Sequence, residues 1–156
     1  MVPPGSPDLS PRRPTSVLFV CSMNAVRSPM AAAIASSLFP GQIYVRSAGV
    51  RQGVRDPFVD SVMEEVGMDT SRHQPKTLED LDESGFDLVI TLAPEAHHAA
   101  LELTRTDAVD VEYWPTMDPT LATGSRSQIL DAYRGIRDQL MQRIKKRLAW
   151  TPPVSG

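Results

Sequence analysis

A chain of 156 residues with 41% hydrophobic and 22% charged residues has the size and balance of one water-soluble globular domain. A formal net charge of −3 argues against wholesale attraction to nucleic acid or membrane surfaces, and no apolar run approaches the about 18 residues that would cross a bilayer. One cysteine excludes an internal disulfide and favours a reducing, cytoplasmic setting. With no second thiol beside the adjacent His97 and His98, a metal site is not expected.

Residues 1–15, MVPPGSPDLSPRRPT, are proline-rich without an apolar stretch, which excludes a secretory signal and marks a disordered leader. SVLFV (16–20) is a short β-branched apolar run, the pattern of a buried strand. SPMAAAIASSLF (28–39) follows as an alanine-rich helix with Pro29 in its first turn. IYVRSAG (43–49) reads as a second strand. DPFVDSVMEEVG (56–67) is a helix with Asp56 as its cap, Pro57 in its first turn and Gly67 as its stop. FDLVITL (86–92) is a central strand, APEAHHAALEL (93–103) a helix and VDVEYW (109–114) a fourth strand. The last helix is marked by Ile129, Tyr133, Ile136, Leu140, Ile144 and Leu148 at spacings of three and four. Residues 150–156 form a second disordered end, leaving 16–149 as a single domain. Strands alternating with helices predict an α/β sandwich, a mostly parallel sheet covered on both faces. Ligands in such sheets collect beyond the carboxyl ends of the strands, where Cys21 lies.

The loop after the first strand is CSMNAVRS, Cys-x5-Arg-Ser, running straight into a helix. A loop at a helix start aims several backbone N–H groups into one small space, and the helix dipole adds positive charge. Ser22, Met23, Asn24, Ala25 and Val26 would supply those amides, and the planar guanidinium of Arg27 would grip two oxygens of a tetrahedral anion. The same field favours the thiolate form of Cys21 over the thiol. A thiolate inside an oxyanion cradle suggests attack on phosphorus through a phosphocysteine. Cys-x5-Arg by itself recurs by chance, and a lone cysteine at a strand end is commonly a small core residue. The flanking strand, Ser-Pro and helix make the functional reading the favoured one.

In these residues the chain resembles the low-molecular-weight protein tyrosine phosphatases and the related thioredoxin-type arsenate reductases, over roughly residues 16–149. The resemblance implies a three-layer α/β/α sandwich, a doubly wound four-stranded sheet of order 2-1-3-4, and catalysis without cofactors. It implies that Cys21 is the nucleophile, Arg27 the oxyanion-binding side chain and Ser28 the hydroxyl that steadies the thiolate. Asn24 would hold a left-handed backbone, with Ser47 of RSAGV and His73 of DTSRHQPKTL as its hydrogen-bond partners. Asp118 of YWPTMDPT would be the general acid, a role for which Asp107 and Asp110 are worse placed. The implied partners are a phosphorylated protein or small phosphomonoester and inorganic phosphate.

Departures from the family pattern bear on substrate. Met23 stands where glycine is usual, DPTLATG has no aromatic wall after the acid, and Arg51 and Gln52 stand where an aromatic residue often lies. Trp114 and Tyr113 are the aromatics left to compensate, and a tryptophan at a strand end is more often core. Ala25 is small enough to admit a non-aromatic group such as phosphoarginine. Arsenate reductases of this type carry a second cysteine after the third strand, where this chain has Ala93, so arsenate reduction would need an external thiol such as glutathione or mycothiol. Three readings follow: a cysteine-dependent phosphatase, a single-cysteine arsenate reductase, and an oxyanion-binding module disabled by Met23.

Overall fold

The structure is a computed structural model that describes residues 14–149. The expected tail and most of the expected leader lie outside the described residues. Thr15, placed in the leader by composition, is tied to the body: its N–H and hydroxyl donate to Asp87 Oδ2 at 2.7 and 2.5 Å.

The elements in chain order are β1 (Ser16–Cys21), α1 (Arg27–Leu38), β2 (Tyr44–Gly49), α2 (Pro57–Glu64), α3 (Leu78–Leu81), β3 (Leu88–Thr91), α4 (Pro94–Thr104), β4 (Asp110–Tyr113), a 3-10 turn (Pro119–Leu121) and α5 (Arg126–Leu148). The sheet runs β2-β1-β3-β4 with every pair parallel. The order agrees with that implied by the resemblance, and the sheet is wholly rather than mostly parallel. All connections are crossovers, so the loops after all four strands open at one edge.

Side chains alternate along β1. Val17, Phe19 and Cys21 face the larger core with α1, α2 and α5, whereas Leu18 and Val20 face a smaller one with α3 and α4. Ile136, Leu140, Ile144 and Leu148 of α5 are buried at the expected spacing, each worth about 1.5–3 kcal/mol. Ile129, at the start of that stripe, is only partly buried against the core.

The differences from the sequence reading are local. β3 and β4 are shorter at both ends than the apolar runs that contain them, although the flanking Leu92 and Trp114 still donate from their backbone N–H groups to the Val20 and Thr91 carbonyls at 2.9 and 2.8 Å. Helix α1 begins at Arg27, one residue early. Helix α3 and the 3-10 turn are too short for periodicity to disclose. α3 is nucleated by a capping box: Thr77 Oγ1 accepts from Asp80 N at 3.1 Å, and Asp80 Oδ2 accepts from Thr77 N at 3.4 Å. Asp56 caps α2 as expected, accepting from Phe58 N at 2.9 Å.

Candidate active site

The loop from β1 into α1 turns on Asn24, whose φ of +53° puts it in the left-handed region that few non-glycine residues tolerate. Its buried side chain holds that conformation with every atom used. Nδ2 donates to Ser28 Oγ at 2.8 Å and to Ser47 Oγ at 3.0 Å, while Oδ1 accepts from Lys76 N at 3.0 Å. The Asn24 carbonyl accepts from His73 Nε2 at 2.7 Å. Ser47 and His73, which the sequence separates widely, thus meet at this one residue. Burial lowers the His73 pKa below its ordinary value, which keeps the ring neutral with its proton on Nε2.

Ser28 Oγ accepts from Asn24, so its own hydrogen is left to donate. Its nearest acceptor is Cys21 Sγ at 2.9 Å, with the Ala48 carbonyl farther at 3.4 Å. Cys21, the last residue of β1, is buried where the loop begins. None of the backbone N–H groups from Ser22 to Ser28 has a hydrogen-bond partner among the described residues. The start of α1 is equally bare, since Val26 gives no side-chain cap and the first turn holds no acidic residue. At the buried Asn24, Val26 and Ser28 such amides are costly unless an anion takes them. Arg27, the first helical residue, is half-buried and donates from Nη1 to the Thr116 carbonyl at 3.0 Å.

Two glycines make room for the loop. A Cβ at Gly49 would lie 2.8 Å from Asn24 N, and one at Gly53 would lie 2.7 Å from the Met23 carbonyl and 2.9 Å from Met23 Cβ. Met23 is therefore accommodated by a glycine opposite, and its side chain is partly exposed.

Asp118 follows Thr116 by two residues, so the Arg27 bond ties its segment to the loop. Asp118 Oδ1 accepts from Thr120 N at 3.0 Å and Thr120 Oγ1 at 2.7 Å, orienting the carboxyl. Asp110 opens β4 at the opposite edge of the sheet, and Asp107 lies in the turn before it, so neither shares this edge with Cys21. Trp114 is core, edge-on to Phe19 with ring centroids 6.4 Å apart, and does not wall the site. Tyr113 stacks on His97 at 4.9 Å. Ala93 is the N-cap position of α4 and is buried.

Several contributors escape a reading of the sequence. Glu95, in the first turn of α4, is held below the ordinary carboxylate range by the Ser22 hydroxyl and by Arg51, which bonds it at 2.6 Å; the Arg27 charge adds to this. Tyr133 donates to Asp56 Oδ2 at 2.5 Å. Burial, that bond and the charges of Asp56 and Asp118 raise its phenol pKa. Glu95 carried no signal at all, and Tyr133 was visible only as one point on the apolar stripe of α5. No group of three metal-ligating side chains occurs among the described residues. No helix there is long and apolar enough to cross a membrane.

A family model described as low molecular weight phosphotyrosine protein phosphatase matches residues 16–149. Among curated relatives, the glutaredoxin arsenate reductase of Synechocystis is 31% identical over 133 residues, 85% of this chain and 95% of that protein. Among solved structures, an arsenate reductase in the phosphate-binding state superposes with a TM-score of 0.73 at 31% identity, covering 86% of this chain and 97% of that one. A mutant arginine phosphatase whose active-site serine is phosphorylated does so with a TM-score of 0.69 at 25% identity, covering 86% and 92%.

Proposed function

This chain belongs to the low molecular weight phosphotyrosine protein phosphatase family, and we propose that it is a cysteine-dependent phosphatase. It would hydrolyse phosphomonoesters, with protein phosphotyrosine as the leading substrate class. One observation carries the reading: a buried thiol, hydrogen-bonded to Ser28, begins a loop whose backbone amides have no partner among the described residues and which runs into Arg27 at the start of α1.

In this mechanism the phosphoryl oxygens lie on the N–H groups of Ser22 to Ser28 and on Arg27. The thiolate of Cys21 attacks phosphorus in line with the ester oxygen. As the P–O bond breaks, Asp118 gives its proton to the leaving oxygen. Water then attacks the phosphocysteine, Asp118 takes a proton from it, and the S–P bond breaks. Ser28 donates to the departing sulfur, easing its release as a thiolate. The amides and guanidinium act where charge accumulates, at the equatorial oxygens. The phosphorylated active-site serine of the arginine phosphatase supports a covalent phosphoryl intermediate at this position by analogy.

A second reading, arsenate reduction, is favoured by the names of the relatives. With one cysteine and Ala93 at the start of α4, this chain has no internal thiol to resolve an arseno-cysteine adduct. A small thiol would have to supply that electron pair.

The test is a side-by-side assay of p-nitrophenyl phosphate, phenyl phosphate, phosphotyrosine, phosphoarginine, and arsenate with glutathione or mycothiol. Hydrolysis without added metal is expected. Cys21→Ser should abolish turnover while retaining phosphate binding by calorimetry. Asp118→Asn should slow phenyl phosphate by about 10²–10³-fold, and the activated nitrophenyl ester far less. Arsenate-dependent thiol oxidation without phosphatase activity would replace the first reading with the second.

A further inference from the structure

Exposed large apolar side chains stand on the loops that carry the residues of this site. Met23, on the loop over Cys21, is 39% exposed; Val54, next to Gly53, is 85% exposed. Met117, at 80%, stands between Thr116, which takes the Arg27 bond, and Asp118; Leu121, at 77%, ends the turn that Asp118 caps. These four come from three loops that meet at the carboxyl edge of the sheet. Elsewhere, Tyr44 stacks on Phe86 and donates to Glu83, Tyr113 stacks on His97, and Leu101 and Leu103 lie on α4.

Leaving Val54, Met117 and Leu121 largely uncovered forgoes stabilisation that burial would bring. Apolar surface gathered at the rim of a polar site marks a place where something else covers it. Two of the four are methionines, whose unbranched, polarizable side chains adapt to varied shapes. The neighbouring ionic pair on the rim, Arg51 with Glu95, is closed on itself at 2.6 Å. The rim therefore offers apolar contacts beside this pair and the Asp118 carboxyl.

We propose that this rim binds aliphatic side chains flanking the phosphorylated residue of a polypeptide substrate. The inference rests on the phosphatase reading and narrows it. The phosphoryl group descends to Cys21, and the neighbouring substrate residues lie across Val54 on one side and Met117 and Leu121 on the other. A free phosphorylated amino acid reaches the cradle without touching the rim. The missing aromatic wall after Asp118 fits this arrangement, because selectivity would come from the flanks more than from a slot around a ring.

The experiment compares kcat/KM for phosphopeptides with leucine or valine at the positions flanking the phosphorylated residue against the same peptides with serine there. Each is made with phosphotyrosine and with phosphoarginine, and p-nitrophenyl phosphate serves as the control. We expect about a tenfold advantage for aliphatic flanks, expressed in KM, for the phosphoresidue that is hydrolysed. The Val54→Ser/Met117→Ser/Leu121→Ser variant should lose that advantage and keep wild-type turnover of p-nitrophenyl phosphate. Equal kcat/KM for both peptide sets, with p-nitrophenyl phosphate hydrolysed normally, overturns the rim proposal and leaves the phosphatase reading standing. No hydrolysis of any phosphoester overturns the phosphatase reading itself. Sedimentation showing self-association that the triple variant abolishes, without any flank preference, assigns the rim to a second copy and also overturns the proposal.

Discussion

Helices α1 and α5 pack against each other in the same core, and their N-termini are built in opposite ways. α5 follows the rules of an isolated, stable helix. Ser125 Oγ accepts from Gln128 N at 3.2 Å, and Gln128 Oε1 accepts from Ser125 N at 2.8 Å, while Lys145, Lys146 and Arg147 meet the dipole at the far end. α1 departs from them at every point: no capping side chain, no acid in the first turn, and a cation as its first residue. Arg27 there opposes the helix dipole, a cost of about 0.3–1 kcal/mol if nothing compensates. The contrast teaches that α5 finishes its own hydrogen bonding, whereas α1 leaves its amides for an anion. Departures from local rules of this kind gather at functional sites.

The largest expected effect comes from breaking the α1 end. Arg27→Lys keeps the charge but loses the planar fork that grips two oxygens, and it loses the bond to the Thr116 carbonyl. We expect kcat on aryl phosphates to fall by about 10²–10³-fold, comparable to removing an oxyanion donor, with the helical circular dichroism unchanged. Wild-type kcat in the lysine variant would mean that the bare start of α1 is not where the reacting anion sits.

Much of this contrast was legible in the sequence. Strand-helix alternation and the α5 stripe specified an α/β sandwich, because apolar periodicity reports burial directly. Cys21, Asn24, Arg27 and Ser28 stood close together in one short loop, and the structure joins Cys21 and Asn24 through Ser28 while Arg27 reaches the Thr116 carbonyl. The resemblance, rather than any local pattern, singled out Ser47, His73 and Asp118, since each comes from a different segment and a lone polar residue in a turn carries no signature. Glu95, Lys76 and Thr116 were invisible for a related reason. Lys76 and Thr116 act through backbone groups, and Glu95 through a pairing that only the fold brings about. The capping box of α5, Ser125-x-x-Gln128, is a readable local signal, but it was overshadowed by the apolar stripe that follows it.

A smaller effect separates the two ends by pH. The loop ahead of α1 depends on His73, a titratable group, whereas the α5 box contains none. The pKa of His73 is lowered on folding, chiefly by burial, so protonation favours the unfolded chain. Its stabilising contribution is whole above the unfolded value of 6.5 and is lost as pH falls from there through the lower folded value. Glu65, lowered to about 2 by bonds from Arg134 and Arg137, loses its contribution in a separate window below 4.5. Urea midpoints measured across pH should therefore begin to fall just below 6.5 in the wild type. His73→Gln, whose amide can still donate to the Asn24 carbonyl, should remove that first decline and leave the one below 4.5. A decline near 6.5 that persists in the glutamine variant would remove His73 as its source.

The smallest effect should come from the α5 end, which stands apart from catalysis. Gly124 precedes the cap with φ +114°, and a Cβ there would fall 2.2 Å from Gln128 Oε1, so the turn is shaped around the box. Ser125→Ala removes the acceptor for Gln128 N at a place where water can replace it, and should cost about 1 kcal/mol. The core positions Tyr133, Ile136, Leu140, Ile144 and Leu148 keep their burial, so the helix should fray at its first turn without losing its packing. Aryl phosphatase kcat and KM should match the wild type, because the amides around Cys21 belong to α1 and its loop. A stability loss with unchanged kinetics would mark α5 as scaffold, and a fall in kcat of similar size would show that the two helix ends are coupled through the Asp118 turn between them.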